Sequence, residues 1–362
     1  MSDTWVQVLP NALRMELHIT RAGVFAPQRV DPRGTTGPTR GQARGPRWTH
    51  VGPHLFRPTG VAETTEQRIV DAVASMPSGT AVTGWAALHW LGARWFDGLA
   101  PDGGRLPIPI AGGDRRGLRQ RSGIVISEDW LFDDDIVVID GLPITMPLRS
   151  VTYEARVTAD AIGALRAIEM AAYDDLVSLA ELRTYTAKLV GRPGKVQLED
   201  ALAVADENVW SPMETVMRRF WQQQWDRPLL CNQPLFDLGG HHLFTPDVLD
   251  LEAGIAGEYD GSVHDRGRAR SKDLDRDELT KRLGIEVVTM MAGRGEKQRF
   301  LRRLDGAYRR AEGRSEPRLW TIEQPNWWVD ASTVDRRRAL TAFERERWLG
   351  HRRTSRDGRE LA

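Results

Sequence analysis

Residues 246–264 read PDVLDLEAGIAGEYDGSVH, and the reading of this stretch decides the fold. It has the pattern of two short strands carrying acids at chosen positions. Asp247 falls on the first strand, and Glu258 and Asp260 fall on the second. Residues two apart on a strand point to the same face, so Glu258 and Asp260 share one. Most residues between the acids are apolar or small (Val248, Leu249, Leu251, Ile255, Ala256), as a buried sheet requires. A carboxylate buried among them is costly unless something neutralises it. A divalent metal suits that task, because hard cations take carboxylate oxygens.

Working outward, Ser211 opens a helix, SPMETVMRRFWQQQW, with Pro212 at its first position. LLCNQPLF and HHLFTPDVLD read as strands joined by a turn at Gly239-Gly240. After IAGEYDG comes an Arg-rich loop, then a helix DLDRDELTKRLG that stops at Gly284. The strand IEVVTMM and a basic helix complete the unit. The order helix, three strands, helix, strand, helix predicts an α/β sandwich over residues 206–313.

That constellation suits phosphodiester hydrolysis. The reaction needs an activated water, positive charge at phosphorus and a group that moves protons. Asp247, Glu258 and Asp260 supply metal ligands, and Glu214 can add a fourth carboxylate. His264 is placed to act as general base, and Arg276 or Lys272 to meet the phosphate. Structural readings stand beside these. Glu214 has capping-box spacing from Ser211. Arg276 has Asp273 and Asp277 as helix neighbours. His264 alone reads as an ordinary histidine, and His241-His242, near a hairpin turn, as structural.

The remaining chain divides by composition. Residues 1–62 form a poorly defined segment, and 25–60 are rich in Gly, Pro and Arg, the signature of a mobile basic linker or a phosphate-contacting arm. Residues 63–205 read as an α+β domain, helical in its second half. Ile69, Val70 and Val73, then Trp85, Leu88 and Leu91, recur at helical spacing. Arg115, Arg116, Arg119 and Arg121 cluster between strands, and Asp133-Asp134-Asp135 reads as a solvated turn. Helices are expected at LRSVTYEARV, at 160–173 and at SLAELRTYTAKL. Residues 314–362 form a Trp-containing basic tail. Thr333 caps its helix; Ala339, Leu340, Phe343 and Trp348 face the body, and Arg336, Arg337, Arg338, Arg352 and Arg353 face outward.

The chain has 362 residues and zero formal charge, so nucleic acid would be held by local patches rather than by overall polarity. A single cysteine, Cys231, excludes an internal disulfide framework and a Cys-based zinc site. No apolar run reaches membrane-spanning length and no signal-peptide pattern opens the chain, so a cytoplasmic location without membrane partners is expected.

Residues 207–312 resemble nuclease domains related to very-short-patch-repair endonucleases, of the PD-(D/E)XK, or restriction-endonuclease-like, superfamily. The resemblance rests on the SPMET helix start, Pro246-Asp247, the run Glu258 to His264, and Asp273 and Arg276 leading to Leu279 and Gly284. It implies a Mg²⁺-dependent core, with Mn²⁺ as an alternative, in which Asp247 and Glu258 are the motif acids. The superfamily's usual lysine falls at Asp260, which matches a variant with aspartate before glycine. At Thr289-Met290 many relatives carry an arginine. Residues 63–185 resemble AbiEi-type antitoxins of type IV toxin–antitoxin systems, on TAVTGWAALHWLG and DGLPITMPLRSVTYEA. Together these readings lead to a metal-dependent DNA endonuclease or nickase. The alternative is a DNA-binding regulator or antitoxin-like protein with an inactive nuclease fold. DNA is the expected partner; a protein partner or a second copy stays open.

Overall fold

A computed structural model describes residues 17–100, 102–113, 118, 121–261, 278–314 and 317–350. The chain divides into two compact units, residues 1–157 with 185–195, and residues 158–184 with 196–362.

In the first unit, strands β1 (Gln28–Arg29), β2 (Trp48–Gly52) and β3 (Leu55–Pro58) form a three-stranded antiparallel sheet ordered β1-β3-β2. The expectation of a mobile linker over 25–60 is therefore corrected. The Gly/Pro/Arg run is tied by one carboxylate. Asp31 accepts the backbone N–H groups of Thr36 (2.9 Å), Arg33 (2.9 Å) and Thr35 (2.8 Å). These bonds hold its carboxyl well below the usual carboxylate range.

Helix α1 (Thr65–Ala74) follows, capped by Thr64, with Ile69, Val70 and Val73 fully buried. Strand β4 (Ala81–Val82) leads into α2 (Gly84–Trp90). Strands β5 (Ile108–Ala111), β6 (Ile124–Ser127), β7 (Ile136–Ile139) and β8 (Leu142–Thr145) join β4 in a mixed five-stranded sheet ordered β6-β5-β4-β8-β7. Helix α3 (Pro147–Val157) closes the run. The solvated reading of the Asp133–Asp135 turn fails at its last member. Asp135 is buried, accepting the Tyr185 hydroxyl (2.7 Å) and the Phe132 N–H (2.9 Å). Of the Arg115–Arg121 cluster, only Arg121 lies within the described residues.

The second unit opens with α4 (Ala161–Tyr173), capped by Asp160. Helix α5 (Leu179–Ala187) starts with a reciprocal capping box between Ser178 and Glu181. Helices α6 (Lys195–Val204) and α7 (Pro212–Gln224) follow. The expected junction at 205/206 falls inside this unit, because α4 and α7 are pinned together. Buried Glu169 on α4 accepts from Arg218 and from the Thr215 hydroxyl (2.6 Å), both on α7.

A four-stranded sheet carries the stretch of interest. Its strands are β9 (Leu230–Cys231), β12 (Val248–Asp250), β13 (Ile255–Asp260) and β14 (Glu286–Met291), ordered β14-β13-β12-β9. The first three are antiparallel neighbours, and β13 and β14 run parallel. A smaller sheet holds β10 (Leu235–Asp237), β11 (His242–Phe244) and β15 (Trp320–Thr321). Each expected long strand is thus cut in two. LLCNQPLF breaks at Asn232, which adopts a left-handed backbone (φ 45°), and at the following Pro234, which has no N–H for a ladder. HHLFTPDVLD breaks at Pro246 for the same reason.

One face of the four-stranded sheet (Val248, Ile255, Val288, Met290) packs on Met217 and Trp221 of α7 and on Phe300 and Leu304 of α8 (Glu296–Ala311). The other (Leu249, Ala256) packs on Leu235, Phe244 and Trp320 of the small sheet. Gly257 leaves room for α7, since a Cβ there would stand 2.7 Å from the Trp221 ring. Among the described residues the class is α/β with mixed sheets.

The tail forms two short helices, α9 (Val334–Ala339) and α10 (Ala342–Leu349), each with a threonine cap, Thr333 and Thr341. Three expectations are corrected here, the first being that Ala339, expected against the body, is exposed. Arg337 is fully buried, giving its guanidinium to the Asp175 carboxylate (2.6 Å) and the Ala172 carbonyl (2.7 Å). Phe343 is 74% exposed, because the break at Leu340–Thr341 restarts the helix on a new face. Arg352 and Arg353 lie outside the described residues.

Candidate functional site

Asp247 stands one residue before β12, directly after Pro246. It is held from two sides. Its carbonyl accepts the Asn232 N–H (3.0 Å), and its Oδ2 accepts the Tyr259 N–H (2.6 Å). The β12–β13 ladder pairs Val248 with Gly257, so continuing the register sets Asp247 opposite Glu258. Directly opposed residues share a face of the sheet, as do residues two apart. Asp247, Glu258 and Asp260 therefore belong to one face, with Glu258 and Asp260 half-buried at the end of β13.

Glu214 arrives from α7. Its N–H donates to Ser211 Oγ (3.3 Å), which is half of a capping box. Its carboxylate does not close the box. Oε2 instead accepts the Trp210 N–H (2.8 Å) and Asn232 Nδ2 (2.8 Å). Burial, and next the charge of Asp247, push this carboxyl up to about 8. The structure thus joins Glu214 electrostatically to Asp247, a pairing that sequence spacing could not show.

Asn232 is the residue the sequence reading missed. It lines up three parts of the site: its N–H bonds Asp247, its amide bonds Glu214, and it also reaches the Asn208 carbonyl (2.7 Å). The available signal was Asn before Gln-Pro inside a supposed strand, since Asn is enriched at positive φ.

The expected phosphate-binding cations look different. His264, Lys272 and Arg276 lie outside the described residues. Near β14, where an arginine was expected at Thr289-Met290, Arg303 of α8 donates to the Thr289 carbonyl (2.7 Å). Arg303 and Arg299 both pair with Glu296. Burial raises the Glu296 carboxyl, but these two arginines and the Met291 N–H outweigh it and hold it down at about 2.

Among the described residues, no three His, Cys, Asp or Glu side chains gather closely enough to hold a metal ion. No helix among them is long and apolar enough to cross a membrane. Comparison with protein-family models, curated proteins and solved structures gives no match.

Below β12 the acid Asp250 is buried but engaged structurally. It accepts the Tyr308 hydroxyl (2.8 Å), which in turn accepts from Trp221 Nε1 (2.7 Å). That chain ties α7, α8 and the sheet behind the candidate acids.

Proposed function

We propose that the chain is a metal-dependent nuclease that hydrolyses phosphodiester bonds in DNA, with Asp247 and Glu214 at the centre of its ion site. The observation that carries this reading is the pair itself. Two carboxylates are held beside each other, one of them buried and pushed up to about 8. A proton relieves such a pair, and a bound cation that displaces the proton does so as well; hard divalent ions prefer oxygen donors of this kind. Glu258 and Asp260 belong to the same face as Asp247, and an ion bound to the pair would have to draw them closer to gain their oxygens. Bound there, Mg²⁺ or Mn²⁺ would polarise a phosphoryl oxygen and lower the pKa of a water.

The chain's own residues do the remaining work. The Tyr259 N–H fixes the Asp247 carboxylate, and Asn232 orients that of Glu214. His264 is assigned proton transfer and Arg276 the phosphate, on their place in the sequence. Support also comes from the element order: helix α7, the strands that end in β12 and β13, a helical turn at residues 278–282, then β14 and α8 follow the helix, strands, helix, strand, helix order read from the sequence.

The second reading is a DNA-binding regulator on an inactive nuclease fold. It is favoured by the lack of a three-ligand group among the described residues and by Asp260 in the lysine's place. One experiment separates the two. The full chain is incubated with supercoiled plasmid and with mismatched duplexes in Mg²⁺, in Mn²⁺ and in EDTA. Nicking that requires the ion and drops by about 10- to 100-fold or more in Asp247→Ala supports the nuclease. Undiminished cleavage by Asp247→Ala removes this site, and salt-dependent DNA binding without metal uptake selects the regulator.

A further inference from the structure

A second concavity lies in the same unit, among Asn208–Trp210, the β9–β11 segment, residues 324–332 and the end of α10. It encloses about 580 Å³, within the range of small-molecule sites. Its walls are aromatic. Trp328 stacks on His242 (4.9 Å between centroids, planes 29° apart), and Trp348 meets Trp328 edge-on at 5.1 Å. Arg347 lies over the Trp348 ring at 5.2 Å and also lines the cavity.

One polar atom at this cavity has no hydrogen-bond partner among the described residues. Asn232, 2% exposed, is a lining residue, and its buried Oδ1 accepts from none of them. The amide's orientation is set by Nδ2, which donates to Asn208 and to Glu214. A buried carbonyl oxygen left without a donor costs about 1–3 kcal/mol. The oxygen is closed to solvent, so a ligand N–H reaches it only as the lining gives way, and one that does gains a hydrogen bond that no protein group supplies.

We propose that this cavity binds a nucleobase carrying an amino group, with the ring against Trp328 and Trp348, the amino N–H on Asn232 Oδ1 and the phosphate on Arg347. Aromatic side chains are the general means of holding an unstacked base, since every base has a π face. The planar aromatic walls favour a flat ring over an aliphatic ligand, and the lone acceptor selects a base edge with a donor. Because Asn232 also holds Glu214, a base seated here lies next to the acids assigned to cleavage. The inference gives the nuclease reading its recognition element, yet base binding itself needs neither metal nor cleavage.

The test is run in EDTA, so that its failure is distinct from failure of the nuclease. The full chain is titrated with adenosine monophosphate, with purine riboside monophosphate (which lacks the amino group) and with ribose 5-phosphate, following tryptophan fluorescence and heat. Saturable quenching by adenosine monophosphate is expected, about fivefold or more weakening for the purine analogue from one lost hydrogen bond, and no saturation by ribose phosphate. A thymidine-only single strand and the same strand with one adenine distinguish a strand-borne base from a free nucleotide. Trp348→Ala, at a helix end, should weaken binding by about fivefold or more with an unchanged circular dichroism spectrum. Arg347→Gln should weaken the monophosphate and leave adenosine unchanged. Absence of binding to both the nucleotide and the adenine strand overturns the proposal. Equal binding of adenosine and purine riboside monophosphates overturns the role of Asn232. Unchanged affinity in both Trp348→Ala and Trp328→Ala overturns the stacking site.

Discussion

Replacing Arg218 with methionine tests how the second unit is held together. Arg218 is 4% exposed and its partner Glu169 is fully buried. The guanidinium also donates to the Val204 carbonyl (2.9 Å), while Glu169 takes bonds from Thr215 and from the Asp206 N–H (3.0 Å). Burial pushes the Glu169 carboxyl up to about 7 even with Arg218 beside it. Arg218→Met leaves that carboxylate uncompensated, and breaking one side of a buried pair costs about 3–5 kcal/mol. Replacing both partners, as Glu169→Gln with Arg218→Met, removes both buried charges and should recover most of the loss, giving a coupling of about 2 kcal/mol or more.

The pH dependence has a definite sign. A carboxyl whose folded value is raised from 4.5 contributes stability that is complete below 4.5 and is lost as pH rises through about 7. The deficit of Arg218→Met should therefore shrink in acid and widen above neutrality. Hydrogen exchange of α4 and α7 amides during urea titration reads this unit alone. A single-variant loss below about 1 kcal/mol, or additive losses in the double variant, would refute the account.

Two further outcomes follow from the site. In Glu214→Gln, the group pushed up to about 8 is removed. Wild type should lose more stability than the variant as pH rises from about 5 to 9, since the variant keeps only the loss that Glu169 brings. The gap is roughly 3–5 kcal/mol at most, Mg²⁺ should narrow it, and parallel pH curves without metal would dismiss the shift. Gly257→Ala places a Cβ 2.7 Å from the fully buried Trp221 ring, which its bond to Tyr308 keeps from moving aside. It should cost about 1–3 kcal/mol in chemical denaturation; a neutral effect would mean that α7 can move off the sheet.

Part of the local chemistry was legible in the sequence. The caps at Ser178, Ser211 and Thr333 act within four residues of themselves, so short spacing suffices to find them. The period-two acids at Glu258 and Asp260 and the stop at Gly284 (φ 68°) are local in the same way. What tertiary structure alone decided depends on partners distant in the chain. The Gly/Pro/Arg run became a sheet once Asp31 gathered its turn and β3 paired with both neighbours. Arg337 turned inward because Asp175 and Ala172, far back in the sequence, present a carboxylate and a carbonyl to it.

The stretch at 246–264 shows both kinds of information. Its alternation set the strands and the shared face of its acids, since side-chain direction in a strand follows from position alone. That Glu214, far back in the chain, also stands close enough to Asp247 to feel its charge, and that Asn232 bonds both, is a consequence of packing α7 on the sheet. A carboxyl shifted to about 8 arises only when burial and a second charge meet in space, and no one-dimensional pattern encodes that meeting.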